Sequence, residues 1–324
     1  MSSMPATDSG PDCSLVVPVF RNEENIPELL ERLAWLHAQV PGGIEVVCVV
    51  DGSPDRSHSL LAEALARAPH PSRLLALSRN FGSFAAIREG LRAAGGTRFA
   101  VMSADLQEPR ELFVDLFARL GRDEADVILA TREGRDDPWM DRAAAGAFWG
   151  AYRRLVQPEV PPGGVDVFGC NRAVRDALVG FSEARSSLVG QLVWLGFRRA
   201  LAPYRRLPRR HGRSAWTIGR KIAYLQDSVF SFSDLPVRLL TLAGALGLVA
   251  AAVFGAVVIA ARLTGAVSVP GYSALVVTIL FFAGLNMLGL GIIGSYVWRA
   301  YENTKSRPLA IVMSDRRYRP GGAP

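Results

Sequence analysis

The sequence predicts an α/β fold: a doubly wound, mostly parallel sheet, followed by an interfacial amphipathic helix and two transmembrane helices. Three observations carry this. Short apolar runs alternate with helical-period stretches in four successive units joined by short connections, the pattern of a parallel sheet covered on both faces. An arginine-rich block then precedes an amphipathic stretch. Two long uncharged apolar segments follow near the C-terminus.

In chain order, Met1 to Asp12 is polar and lacks the charged and apolar regions of a signal peptide, so the next domain is expected in the cytoplasm. Cys13 to Phe20 is a continuous apolar run, expected as a strand buried on both faces. Glu23 to Val40 places Ile26, Leu29, Leu30, Leu33 and Leu36 on one helical stripe, and Pro41-Gly42-Gly43 ends it. Ile44 to Val50 is a second strand ending at Asp51, and Ser59 to Ala68 is helical. Leu74 to Leu77, ending at Ser78-Arg-Asn-Phe-Gly82, is the third strand, with a helix over Ala85 to Ala94. Phe99 to Met102 is the fourth, and it stops at the polar turn Ser103-Ala-Asp-Leu-Gln-Glu-Pro109. Ala125 to Thr131 is a further strand, followed by a helix over Asp141 to Val156 and a turn at Pro158 to Gly164.

The chain has 324 residues and a formal charge of +7, which suits phosphate-bearing ligands, anionic lipid or nucleic acid. Its three cysteines are far apart, without metal-ligand spacing, and read as reduced thiols. Ligands of open parallel sheets bind where the strands end. Here those ends gather Phe20 to Glu23, Asp51, Arg79-Asn80 and Asp105. Taken alone, Asp105 also reads as the cap of a helix starting near Pro109. No Gly-x-Gly-x-x-Gly follows the first strand, so dinucleotide binding is not supported. The one such pattern, Gly289, Gly291 and Gly294, lies in an apolar segment and is assigned to helix packing.

Seven motifs in order now resemble one family. They are Val16-Val-Pro-Val-Phe-Arg-Asn-Glu-Glu-Asn25, Val49-Val-Asp-Gly-Ser-Pro-Asp55, Ser78-Arg-Asn-Phe-Gly82, Ser103-Ala-Asp-Leu-Gln-Glu-Pro109, Pro162-Gly-Gly-Val-Asp-Val-Phe168, Arg209-Arg-His-Gly-Arg-Ser-Ala-Trp216 and Phe230-Ser-Phe-Ser233. The chain resembles the family 2 glycosyltransferases, in particular the branch that loads a sugar onto polyprenyl or dolichyl phosphate. The resemblance implies a nucleotide-sugar-binding α/β domain and Mg2+ or Mn2+ on the donor diphosphate. It assigns Pro18, Phe20, Asn22, Val49 and Asp51 to the nucleoside pocket, with Glu23 as the alternative to Asn22. Asp105 would hold the metal, in a turn where Ser103, Ala104 and Gln107 also face the donor. Arg132 and Arg209 would meet the diphosphate or acceptor phosphate, with Arg135 a second clamp and Ser214 on the donor side. These residue types fit the chemistry: hard cations take carboxylate oxygens, and arginine forks match phosphate.

The chain departs from the family pattern in three places. Ser103 replaces the first Asp of the metal pair, Ala215 replaces a lysine, and Val50 precedes Asp51 in place of a second Asp. A single carboxylate with phosphate oxygens and waters suffices for magnesium, and Arg210 or Arg213 could replace the lysine's charge. Asp166 is a candidate acceptor-side carboxylate, but an ionised phosphate acceptor needs no general base.

Arg198, Arg199, Arg205, Arg206, Arg209, Arg210 and Arg213 form a basic block, with Arg220 and Lys221 soon after. Ile218, Ile222, Leu225, Val229 and Phe232 then repeat at helical spacing, as in a helix lying in an interface with anionic head groups. Nucleic acid is the rival explanation of the charge, and the apolar segments that follow argue against it. Leu239 to Ala261 and Tyr272 to Val297 each reach the ~20 residues of one crossing. The excess of basic residues outside the pair predicts a hairpin with both flanks in the cytoplasm.

The expected division is 1–12, a disordered N-terminus; 13–213, a cytoplasmic glycosyltransferase domain; 214–235, the interfacial helix; 236–298, the hairpin; and 299–324, a cytoplasmic tail. The expected enzyme is an inverting, multi-pass inner-membrane transferase that moves a sugar from a nucleotide sugar to polyprenyl phosphate. Small residues on both spans suggest self-association. Two alternatives stay open: transfer to a lipid-linked sugar hydroxyl, which would need a base such as Asp166, and a non-catalytic nucleotide-binding scaffold, motivated by Ser103 and Ala215.

Overall fold

The computed structural model describes residues 11–133, 150, 154, 159–161, 165, 167–183, 186–208, 226–264 and 271–320. The strands are β1 (Cys13–Val19), β2 (Ile44–Val50), β3 (Ser72–Leu77), β4 (Arg98–Val101), β5 (Val127–Arg132), β6 (Phe168–Asn171), β7 (Arg199–Tyr204) and β8 (Val312–Tyr318). The helices are α1 (Ile26–Gln39), α2 (Ser57–Leu65), α3 (Ser83–Ala93), α4 (Arg110–Gly121), α5 (Arg172–Gly180), α6 (Leu188–Trp194), α7 (Leu235–Leu263) and α8 (Tyr272–Thr304).

One eight-stranded sheet runs β7-β5-β6-β4-β1-β2-β3-β8. Its centre, β4-β1-β2-β3, is parallel, with Val16 beside Val47 and Val101. These strands are apolar on both faces because helices cover both, so two apolar layers form. Chain order reverses between β1 and β4, which makes their C-terminal ends the switch point of the sheet. Val16 and Val49 lie directly under α3, and a Cβ on Gly90 would collide with Val16. The helix therefore seats on the sheet through a glycine. All three cysteines are buried, and burial pushes the thiols of Cys48 and Cys170 up to about 12, so they are inert.

Three strands fall outside the sequence reading. β6 runs antiparallel between β4 and β5, β7 forms one edge from the basic block, and β8 forms the other. After the hairpin the chain returns to the sheet, where β8 pairs antiparallel with β3, pinned by a bidentate Arg73–Asp315 contact at 2.8 and 2.5 Å. The helix expected over Asp141 to Val156 lies almost wholly outside the described residues.

Among the described residues, α7 and α8 are the two helices long and apolar enough to cross a membrane, over Leu235–Val257 and Phe281–Thr304. Their apolar side chains stay exposed, unlike those of a soluble core helix. Gly247 meets Phe282, and Gly289 meets Leu240, so glycines let the two helices approach. A helical stretch over residues 226–232 precedes them.

Candidate active site at the sheet switch point

The loops after β1 and β2 are knitted together. Arg21 N–H donates to Ser53 Oγ at 2.8 Å, Glu23 N–H donates to Asp55 at 3.2 Å, and Arg56 N–H donates to Glu23 at 2.9 Å. Asn22 N–H reaches Ser57 Oγ at 3.3 Å, and Asn22 Oδ1 accepts from Phe20 N–H at 3.3 Å. Partial burial opposes ionisation of Asp55, but hydrogen bonds from Ser53, Ser57 and Glu23 outweigh it and hold the carboxyl below its usual range.

Asp51 lies at the end of β2. Its two oxygens accept the Phe81 and Gly82 amides at 2.7 and 2.8 Å. Burial raises its pKa against the pull of those amides and of Arg79. Gly52 has φ +57°, and a Cβ there would enter the Arg79–Asn80 backbone. The β2 and β3 loops therefore close on each other around Asp51. Pro18 and Phe20 are half-buried beside this junction. The Val49 side chain is fully enclosed in the core against α3, which leaves its backbone as the part that can face the nucleoside side.

The second half of the site follows β4. Leu106 takes φ +59°, a strained conformation for a branched side chain, at the turn that carries Asp105. Ser103 Oγ donates to Glu108 at 2.9 Å, and Glu108 is buried. Ala104 is also buried. Arg32 of α1 donates to the Glu108 carbonyl at 2.5 Å. Gln107 faces the segment after β7: it accepts from Arg206, and its carbonyl accepts the Leu207 N–H at 2.8 Å. A cavity of about 260 Å³ results, lined by Asn25, Glu28, Arg32, Asp105, Leu106, Leu207 and Pro208. Asn25 N–H donates to the Asn22 carbonyl at 2.9 Å, which joins the cavity to the β1–β2 cluster.

The structure thus brings Phe20, Asn22, Glu23, Asp51, Ser103, Asp105 and Gln107 to one edge of the sheet. Arg132 ends β5, beside Tyr204 of β7 and one strand removed from β4. Arg135, Asp166, Arg209, Ser214 and Ala215 lie outside the described residues. Sequence reading missed Asn25, Glu28 and Arg32. Arg32 carried a signal, because it falls between Leu29, Leu33 and Leu36 on the buried stripe of α1.

No group of three or more His, Cys, Asp or Glu side chains with metal-binding geometry occurs among the described residues. The turn carries the carboxylates of Asp105 and Glu108, and Glu28 lines the same cavity, so the oxygen donors suit a hard cation whose shell other oxygens complete.

The chain is 32% identical over 93% of its length to an uncharacterized glycosyltransferase of Synechocystis sp., covering 94% of that protein. It is 31% identical to a prophage bactoprenol glucosyl transferase homolog of Escherichia coli, over 92% of this chain and 97% of the relative. A mannosyltransferase of Pyrobaculum calidifontis, solved with GDP-Man and Mn2+, aligns with TM-score 0.45 at 17% identity over 91% of this chain and 86% of that one. Residues 14–180, which hold the sheet from β1 to β6 and both halves of the switch-point site, match Glycosyl transferase family 2, and the chain belongs to that family.

Proposed function

We propose that this glycosyltransferase moves a sugar from a nucleotide diphosphate to a polyprenyl phosphate at the cytoplasmic face of the inner membrane. One observation carries the acceptor: the similarity to bactoprenol glucosyl transferases spans the sheet and the C-terminal hairpin alike. Pro18, Phe20, Asn22 and Asp51 would hold the nucleoside. Glu23 serves the loop by fixing Arg56. Arg132, with Arg135, Arg209 and Ser214, would face phosphate groups.

Asp105 would hold Mg2+ or Mn2+, with donor phosphate oxygens and waters filling the other positions. When bound, the cation would neutralise charge on the departing diphosphate. A lipid phosphate oxygen attacks the anomeric carbon as the bond to the diphosphate oxygen breaks, so the anomeric configuration inverts. That phosphate is already ionised near neutral pH, so no side chain has to remove a proton. The hairpin would make the protein multi-pass and bring the site to the lipid, and self-association through its small-residue faces belongs to the same reading.

The test uses detergent-solubilised protein, undecaprenyl phosphate, Mg2+ or Mn2+ and a panel of labelled nucleotide sugars. The expected result is label in the organic phase from one donor, dependent on lipid phosphate and metal. Absence of label from every donor, with nucleotide binding intact, would overturn the reading in favour of a scaffold.

A further inference from the structure

The helical stretch over residues 226–232 links the sheet domain to the hairpin. Residues 228 and 232 share one helical face, and 227 and 230 share another. The first face meets the sheet domain: a Cβ on Gly190 of α6 would run into the Phe232 ring. The second meets α8. Asp227 pairs with Arg299 at 2.8 Å, and the Phe230 ring lies 5.1 Å from the Tyr296 ring.

Arg299 is only half used by these contacts. Its Nη2 binds Asp227, and its Cζ sits 5.1 Å from the centre of the Phe230 ring. Its Nη1 is buried and has no hydrogen-bond acceptor among the described residues. A buried charged donor without an acceptor costs free energy, and such groups in native proteins mark a missing partner. A guanidinium arm at an interface suits a phosphate oxygen. Trp298 and Tyr301, both about half exposed, mark that interface on the same turns of α8.

An apolar cavity of about 460 Å³ lies on the other side of Phe230 from this arginine's ring contact, with Phe230 in its lining. Phe230, Leu239, Leu240, Leu285 and Ile292 line it, with Ala243 at its wall. Phe230 thus touches both the guanidinium and the cavity. Ile292 to Arg299 spans about 10 Å along the helix at 1.5 Å per residue. The pair suits a single chain with one anionic head: an apolar groove and, across Phe230 from it, a charged donor that has no acceptor among the described residues.

We infer that Arg299 and this groove seat the acceptor lipid, with the guanidinium on the phosphate of a polyprenyl phosphate and the groove around its first isoprene units. The inference rests on the acceptor class proposed above. It makes Arg299 a docking residue on the hairpin, outside the sheet site, that holds the lipid before its phosphate enters the sheet site to react. Competition between the lipid phosphate and Asp227 for the same guanidinium follows directly.

The test is equilibrium binding of labelled undecaprenyl phosphate to the full-length protein in phosphatidylcholine nanodiscs. Arg299→Gln is expected to weaken binding roughly 10- to 100-fold, the range for a hydrogen bond to a charged group. Arg299→Lys restores most of it. Asp227→Asn binds at least as tightly as the wild type, because it removes the competing carboxylate. Ala243→Trp fills the groove and weakens binding, with the melting temperature as its folding check. Equal weakening by Arg299→Gln and Asp227→Asn would overturn the inference, because the pair would then be structural. So would equal affinity for undecaprenol, equal competition by phosphatidylglycerol, or displacement by inorganic phosphate alone. A wild type that glycosylates undecaprenyl phosphate beside an Arg299→Gln variant of unchanged lipid affinity sinks the seat alone. A wild type that does not bind this lipid at all sinks the acceptor class with it.

Discussion

Val16 and Val253 are the same side chain in two solvents. Val16, on β1, is 0% exposed and locked between the sheet and α3, where Gly90 leaves no room for a methyl group. Val253, on α7, is 60% exposed in a helix whose neighbouring Gly255 meets nothing within 4 Å. In the sheet, apolar groups are removed from water by other protein atoms packed to near-crystalline density. Along the two apolar helices the described residues supply no such cover, which is the exposure a lipid phase would satisfy. Polar chemistry divides the same way. The sheet buries Asp51, Glu108 and His70 among hydrogen-bond partners, whereas the spans carry hardly any charge.

The sharpest way to test this division is to remove one charge from the sheet's reacting edge. Asp105→Asn keeps the size of the side chain and removes its carboxylate. Sugar transfer is expected to fall about a thousandfold, in line with the loss of a group acting on developing charge. The melting temperature should stay within a few degrees. Transfer at the wild-type rate would show that the reacting carboxylate lies elsewhere.

The next effect is a pH dependence confined to the sheet domain. His70 is buried and hydrogen-bonded to Ser72 at 2.8 Å. Burial, helped by the nearby His37, lowers its pKa to about 4. The folded state therefore holds it neutral, while the unfolded chain takes up a proton below about 6.5. Between these values the unfolded state binds more protons, so this contribution is complete above pH 6.5 and fades as the pH falls towards 4. The loss is on the order of 3 kcal/mol. Thermal melts from pH 7 to 4 should show it, and His70→Asn should flatten that slope.

A single substitution made in both regions compares their packing directly. Gly90→Ala pushes a methyl group into Val16 and should cost about 1–3 kcal/mol, the usual penalty for overpacking. Gly244→Ala on α7 meets nothing within 4 Å and should change stability by less than about 0.5 kcal/mol. Equal costs, measured as shifts in melting temperature, would mean that the hairpin is packed as tightly as the sheet.

The same contrast explains what could be read from the sequence. The buried parallel strands announce themselves as unbroken apolar runs such as Leu15 to Val19, and the hairpin as longer ones. β6, β7 and β8 do not. Phe168–Asn171 is four residues long and contains a glycine, Arg199–Tyr204 leaves Arg199, Leu201 and Pro203 exposed, and Val312–Tyr318 is mostly charged or exposed. Edge strands carry charge and proline because those features discourage further pairing, and the same features erase the apolar pattern. In the site, the strand-end rule located Asp51 and Asp105. It could not show that Val49 points into the core, since a strand buried on both faces has no alternation to read. Nor could it find Glu28 and Arg32, which enter from α1 rather than from a strand end.

The smallest effect lies where the two regions meet. The chain leaves the hairpin at Thr304 and re-enters the sheet as β8, where Asp315 takes both arms of Arg73. Arg73 also donates to the Ala93 carbonyl at 2.5 Å, so the same guanidinium ties β8 to the end of α3. Asp315 is about a third exposed, so water and salt screen the pair. Asp315→Ala should cost no more than about 1 kcal/mol, and less at high salt. Ser78 N–H still donates to the Ile311 carbonyl at 3.0 Å, and the strand ladder remains, so β8 should stay paired. Hydrogen exchange of the β3 amides reads this directly. Wild-type protection in Asp315→Ala would mean that the ladder alone holds the strand. Loss of protection reaching Phe81 and Gly82 would mean that the tail also steadies the amides that hold Asp51, and that the membrane hairpin acts on the sheet's site through β8.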